Sequence, residues 1–466
     1  MQKLLAFAAS AALTPLLFLG ACVNPDLSGS NDPVVESITV PVHKIDFGSD
    51  STKTVTLSDM NGHSVFLVKV NKGDVNTTAA DSGGVDGPAG LPLTSMAPSF
   101  APSSNAAGSG SGPLFVDHPA AMEFNANPPP ITAAMRREAR NIARSGMAAA
   151  LPLPPAVGAT GTFWVEKVYG QGEWIQKQAT LHAAGAHGNV WVMGDAYSAS
   201  DGGTSDLKIT TAQAEAMAQK FDLIYPAETK LIGYEYGGDP DDLAAYGGKD
   251  GDLKVQILVY DFMGGTGGSS GAAGFFWAKD FYTNEQLQIL GYKSNLAEIF
   301  YLDVESVDLS PDYMYSALVH EFQHMINFNQ KSVLNSKSSP SWYNEMLSLM
   351  AEDVISPLIG IGPDNSGHPI KTRTGTFLAS YNTQGIAEWV TLSLASYAKG
   401  FAFGAYLMRN WGGAELLGKI LANDSVGIPS ITAALDEIEP GMTFEKAVQR
   451  YGEALIFSGA AKPAEV

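Results

Sequence analysis

The sequence predicts an α+β protein. Between residues 161 and 309, short β-branched and aromatic runs recur between turn residues, the pattern of strands. From residue 310 onward, apolar residues recur at three- and four-residue spacing, the pattern of helices packed on one face. Runs of strand followed by runs of helix belong to the α+β class. A length of 466 residues leaves ample chain for a large core.

Taken in order, residues 1–21 read as an export signal. Lys3 is a minimal basic start, and Leu4 to Leu19 is apolar but too short and too early for an ordinary membrane span. Residues 22–72 read as a small β-rich region, with Asn61-Gly62 as a hairpin turn between the runs Ser51–Leu57 and Ser64–Val70. Residues 73–160 read as a low-complexity linker. Gly, Ser, Ala and Pro dominate it to about 113, and it carries a short helical run from Thr132 to Ala149.

The β-rich lobe, 161–309, holds strands at Thr162–Val165, Trp174–Leu181, Asn189–Val192, Leu253–Phe262 and Glu298–Val304, with a helix at Thr210–Phe221. Gly274–Ala278, after a glycine-rich loop, reads either as an exposed edge strand or as an ordinary core strand. The helical lobe, 310–466, opens on Ser310-Pro311-Asp312: a capping hydroxyl, proline at the first helical position and an acid in the first turn.

That first helix carries the chemistry. His320-Glu321-Phe322-Gln323-His324 is an HExxH pentad. Positions i and i+4 share a helix face, so His320 and His324 can meet one metal ion, with Glu321 beside a metal-activated water. Met314, Leu318, Phe322, Met325 and Ile326 form a separate core stripe. A second helix runs from Trp342 to about Ile355, where Pro357 stops it. The short connection lets the two helices pack antiparallel. Glu345 then comes to the histidines, and Glu352, two turns on, can point the same way. Two imidazoles and a carboxylate with one open position suit zinc, which brings the pKa of a bound water towards 7.

The pentad with Met325-Ile326-Asn327, followed by Trp342-Tyr343-Asn344-Glu345, resembles the hyicolysin-type neutral zinc metallopeptidases of the gluzincin clan. The resemblance implies a gluzincin-like body with a cleft between a β-rich and a helical lobe. It implies His320, His324 and Glu345 as zinc ligands, Glu352 being the alternative, and Glu321 as general base. It also implies that a peptide lies along a sheet edge, for which Gly274–Ala278 is the candidate. The metzincin pattern needs a glycine and a third histidine where this chain has Asn327 and Gln330. Tyr397-Ala398-Lys399-Gly400-Phe401, with Tyr406 and Trp411-Gly412-Gly413, is similar to the tyrosine-bearing segment of gluzincin aminopeptidases. There the hydroxyl, here that of Tyr397, stabilises the oxyanion. The same aromatics also read as a core stripe.

Composition narrows the partners. A net charge of −20 argues against nucleic acid. The single cysteine excludes an intrachain disulfide. It lies in Leu19-Gly20-Ala21-Cys22, which resembles the lipobox of bacterial lipoproteins. That resemblance implies lipid on Cys22, attachment to a membrane and, with Val23 and Asn24 following, an outer-membrane or cell-surface location. Carboxylates at Asp239, Asp241, Asp242, Asp250 and Asp252 sit in glycine-rich loops. They are ligands of the type Ca2+ prefers, but their spacing is not that of an EF-hand, and a solvated acidic loop is the other reading. Two functions follow: a zinc metalloendopeptidase acting on peptides or proteins, or a noncatalytic surface lipoprotein, such as an adhesin, on a peptidase scaffold.

Overall fold

The computed structural model describes residues 117–133, 135, 154–199, 207–239, 247–267, 269–381 and 384–457, with side chains to 455, and the backbone of short strands between residues 3 and 71. Cys22, Asp241, Asp242 and nearly all of the run Thr132–Ala149 lie outside these. The chain divides into two compact units, one of residues 1–106 with 442–466 and one of residues 107–441. In the first, Val34–Ser37 pairs in parallel with Val55–Ser58, and Lys3–Ala6 pairs with Leu67–Asn71. Residues 59–66, with the expected Asn61-Gly62 turn, lie outside the described residues. Helix Phe444–Phe457 also belongs to this unit.

The second unit is α+β. Its sheet has six strands: β1 (Thr160–Glu166), β2 (Trp174–Ala184), β3 (Gly188–Met193), β4 (Val255–Tyr260), β5 (Gly274–Phe276) and β6 (Ile299–Asp303). They run in the order β5-β6-β4-β3-β2-β1. β3, β4 and β6 are mutually parallel, whereas β1, β2 and β5 pair antiparallel with their neighbours. β3, β4 and β6 are buried along their whole length, which explains why they read as continuous apolar runs rather than alternating ones.

Helix α1 (Pro119–Ala126) precedes the sheet. Helix α2 (Thr211–Ile232) packs on β2 and β3 and starts with a capping box between Thr210 and Gln213. Helix α3 (Pro311–Asn327) carries the pentad. After a wider helical turn at Phe328–Leu334 the chain enters α4 (Ser341–Ile355), which packs against α3. Met314, Leu318, Phe322, Met325 and Ile326 are all buried, so the stripe on α3 is core as its spacing predicts. Helices α5 (Pro369–Ser380), α6 (Leu394–Asn410), α7 (Ala414–Ala422) and α8 (Gly427–Ile438) complete the unit. Gly404 permits the close approach of α6 to α4, since a Cβ there would stand 2.6 Å from Met350 Cγ.

Candidate active site

α3 and α4 bring the predicted residues together. His320 Nε2 lies 3.1 Å from Glu345 Oε2, and His324 Nε2 lies 3.5 Å from Glu345 Oε1. Donor atoms of His320, His324 and Glu345 all fall within 4.8 Å of one another, and all three side chains are buried. Glu352 stands on the far side of His320, its Oε1 2.7 Å from Nδ1, while its Oε2 accepts from Ser316 Oγ. A carboxylate on Nδ1 keeps that nitrogen protonated and leaves Nε2 turned to Glu345, the arrangement that orients a metal-binding imidazole. Glu352 thus supports His320 and does not converge with the three donors. Ser348, on the same face of α4 as Glu345 and Glu352, lies 3.1 Å from His324 Nδ1 and also donates to Gln323.

The charges explain one another. Burial alone would depress His320 and His324. Hydrogen bonds that Glu345 and Glu352 accept from the first, and the Glu345 charge beside the second, lift both to about 9. Burial would raise Glu345, yet the two histidines hold it at about 2. A carboxylate held ionised beside two imidazoles fits a divalent cation, whose binding takes the place of the protons the imidazoles hold in its absence.

Glu321 is turned differently. Its Oε2 accepts from the backbone N of Phe276 at 2.8 Å, and its Oε1 has no hydrogen-bond partner although it is buried. Burial, its largest influence, raises its pKa against the pull of the histidines. A proton acceptor with one oxygen anchored and the other unpartnered is suited to general acid–base work. Gly274 permits the close approach of β5 to β6, since a Cβ there would meet Tyr301 O at 2.7 Å. Strand β5 is the end strand of the sheet and borders the pentad helix.

Tyr397 lies on α6, fully buried, with its ring 6.5 Å from that of His320. Its hydroxyl accepts from the backbone N of Asp117 at 2.9 Å. Sequence reasoning placed residues 73–160 in a linker and missed Asp117. Donor atoms of Asp117, Glu321 and His324 also fall within 4.8 Å of one another. The available signal was Asp117-His118-Pro119 ahead of Met122 and Phe124: a polar pair, proline at the first helical position, then buried apolar residues.

Comparison with known proteins agrees with this geometry. A family model, peptidase M30, matches residues 173–465. The chain belongs to the peptidase M30 family. The hyicolysin-type family expected from the pentad and Trp342–Glu345 is the one found. The chain is also 26% identical, over 291 residues, to the neutral metalloprotease ShpI of Staphylococcus hyicus, covering 59% of this chain and 58% of that protein. It thus spans little more than half the length of this relative. Among the described residues, the only groups of donors gathered to metal-binding spacing are the two around the pentad.

Proposed function

We propose that this chain is a zinc metallopeptidase, and specifically an endopeptidase. The observation that carries the reading is the buried convergence of His320, His324 and Glu345 beside a Glu321 whose Oε1 is unpartnered. His320, His324 and Glu345 would hold the zinc, which would supply a Lewis acid for a substrate carbonyl and for a water molecule. The chain's own residues do the rest. Glu352 orients His320, and Glu345 balances the charge of the site. Glu321 receives a proton at Oε1 and returns it to the departing amine nitrogen, while its Oε2 stays anchored on β5. The Tyr397 hydroxyl donates to the oxygen on which negative charge develops.

The test is Glu321→Gln. Because Glu321 is not among the three converging donors, the variant should keep its zinc and its fold. It should lose on the order of a hundred- to ten-thousandfold in turnover, the contribution typical of general acid–base groups. Wild-type cleavage of casein by a zinc-loaded Glu321→Gln chain would overturn the mechanism. An internally quenched peptide blocked at both termini separates endopeptidase from exopeptidase, since only the former cuts it. We further propose that Cys22 carries lipid, by the lipobox resemblance of the residues before it. Cys22→Ser should no longer partition into detergent or take up labelled fatty acid, and unchanged membrane association would refute the anchor.

A further inference from the structure

The segment Asp117–Ala126 lies ahead of the family-matching residues, yet it is built into the site. Asp117 Oδ2 stands 3.8 Å from His324 Nε2, and the side chain is buried beside Glu321. Its backbone N is spent on the Tyr397 hydroxyl, and its carbonyl accepts from Tyr169 Oη at 3.0 Å. At the other end of α1, the Asn125 side-chain amide is fastened to the border of β5. Nδ2 donates to Phe276 O at 2.8 Å, and Oδ1 accepts from Ala278 N at 2.8 Å. One amide that accepts from and donates to a strand in this way copies the peptide group of a neighbouring strand. Between the two ends, His118 Nε2 meets Glu166 at 2.7 Å, and Phe124 packs edge-on against Tyr282 and Tyr292.

We propose that Asp117–Ala126 is a built-in occupant of the peptidase site: Asp117 offers its carboxylate to the metal's open position, Asn125 takes the strand edge a substrate backbone would use, and the chain is latent until the segment is displaced. This rests on the metallopeptidase reading above. The physical argument is that the segment engages several groups turnover needs at once. The acid is beside His324 and Glu321, its backbone N–H is bonded to the Tyr397 hydroxyl oxygen, and the Phe276 carbonyl and the Ala278 N–H are taken by Asn125. A tethered occupant also competes at an effective concentration of roughly millimolar, without any diffusional search. A peptide substrate must displace all of these contacts together.

The test compares the full-length wild type with Asp117→Ala and Asn125→Ala, each checked for fold by circular dichroism. Turnover of the blocked quenched peptide should rise at least tenfold in Asp117→Ala and by less in Asn125→Ala. A fall in Asp117→Ala would overturn the proposal, because Asp117 would then belong to the working machinery. A second readout needs no turnover. In cobalt-substituted chains, the visible absorption of Asp117→Ala should differ from wild type. It should return towards wild type when a synthetic peptide of residues 116–127 is added, and not with the same peptide carrying Asp117→Asn. Identical cobalt spectra for wild type and Asp117→Ala would overturn the proposal even if turnover changed. If no variant cleaves peptide but the cobalt spectra shift as described, the peptidase reading fails while the occupancy stands.

Discussion

Glu345 and Glu235 are almost equally buried, 2% and 3% exposed, yet their acidities diverge. Glu345 is held at about 2. Glu235 is pushed up to about 7, by burial first and against the hydrogen bond it accepts from Tyr225 at 2.9 Å. Glu298 follows Glu235: burial raises it well above the carboxylate range, and the neighbouring Asp250 adds to the rise. Glu345 belongs to the predicted zinc donors, whereas Glu235 and Glu298 stand near Asp239 and Asp250 of the acidic loops. What separates them is company. Glu345 faces two imidazoles, so its ionised form is stabilised, whereas at Glu235 and Glu298 burial outweighs the hydrogen bonds they accept and nearby carboxylates add to the rise. Burial raises all three carboxylates, and only the imidazole pair beside Glu345 reverses it.

The hardest way to break the contrast is to remove the partner. Glu345→Ala should abolish stoichiometric zinc in elemental analysis. In the metal-free chain it should cost on the order of 3 kcal/mol below pH 6.5, as breaking a buried pair does. The histidines have folded-state values raised to about 9, so the stability they gain from Glu345 is complete below their ordinary 6.5 and is lost as pH rises through 9. Urea denaturation of wild type and variant at pH 6 and pH 9.5 should therefore show the difference shrinking.

Chelation attacks the same region without a mutation. Stripping zinc should lower the melting temperature by an amount set by free zinc over its dissociation constant, about 4 kcal/mol at a thousandfold excess. Adding Ca2+ instead of Zn2+ to the stripped protein should leave that loss in place. Recovery with calcium alone would mean that the loops hold a cation.

Glu352→Gln is gentler, since glutamine can still hydrogen-bond His320 but carries no charge. Zinc affinity, read by competition with a chromophoric chelator, should fall about ten- to a hundredfold, as for other outer partners of a ligating histidine.

The smallest effect should come from Glu235→Gln, and its sign is opposite. An acid whose folded value is raised destabilises the fold as pH climbs from its ordinary 4.5 through 7. The glutamine variant should match wild type at pH 4 and be more stable at pH 8, by on the order of 1–2 kcal/mol. A loss of stability at pH 8 would mean that Glu235 is ionised and paired.

Much of the site was legible in the residues because its signals are local. His320 and His324 share a face by helix geometry alone, and Pro311, Pro340 and Pro357 bracket the two helices that carry the donors. The spacing of Glu345 and Glu352 made both candidates for the same direction, and it could not say which one converges with the histidines. Packing decided that. α4 lies on α3 so that Glu345 reaches both imidazoles at Nε2, whereas Glu352 meets only Nδ1 of His320.

By itself the sequence determined the α+β class, the pentad helix and its successor, and most strands, since periodicity and turn residues act within a few positions. Only the tertiary structure decided that β3, β4 and β6 run parallel, that β5 ends the sheet beside Glu321, and that Asp117 and Asn125 come to the site from a stretch read as linker. Those contacts join residues 153 and 280 positions apart, Asn125 to Ala278 and Asp117 to Tyr397. No local pattern records such a pairing, because it is the burial of the whole core that brings the two ends together and makes an unpaired polar group there costly.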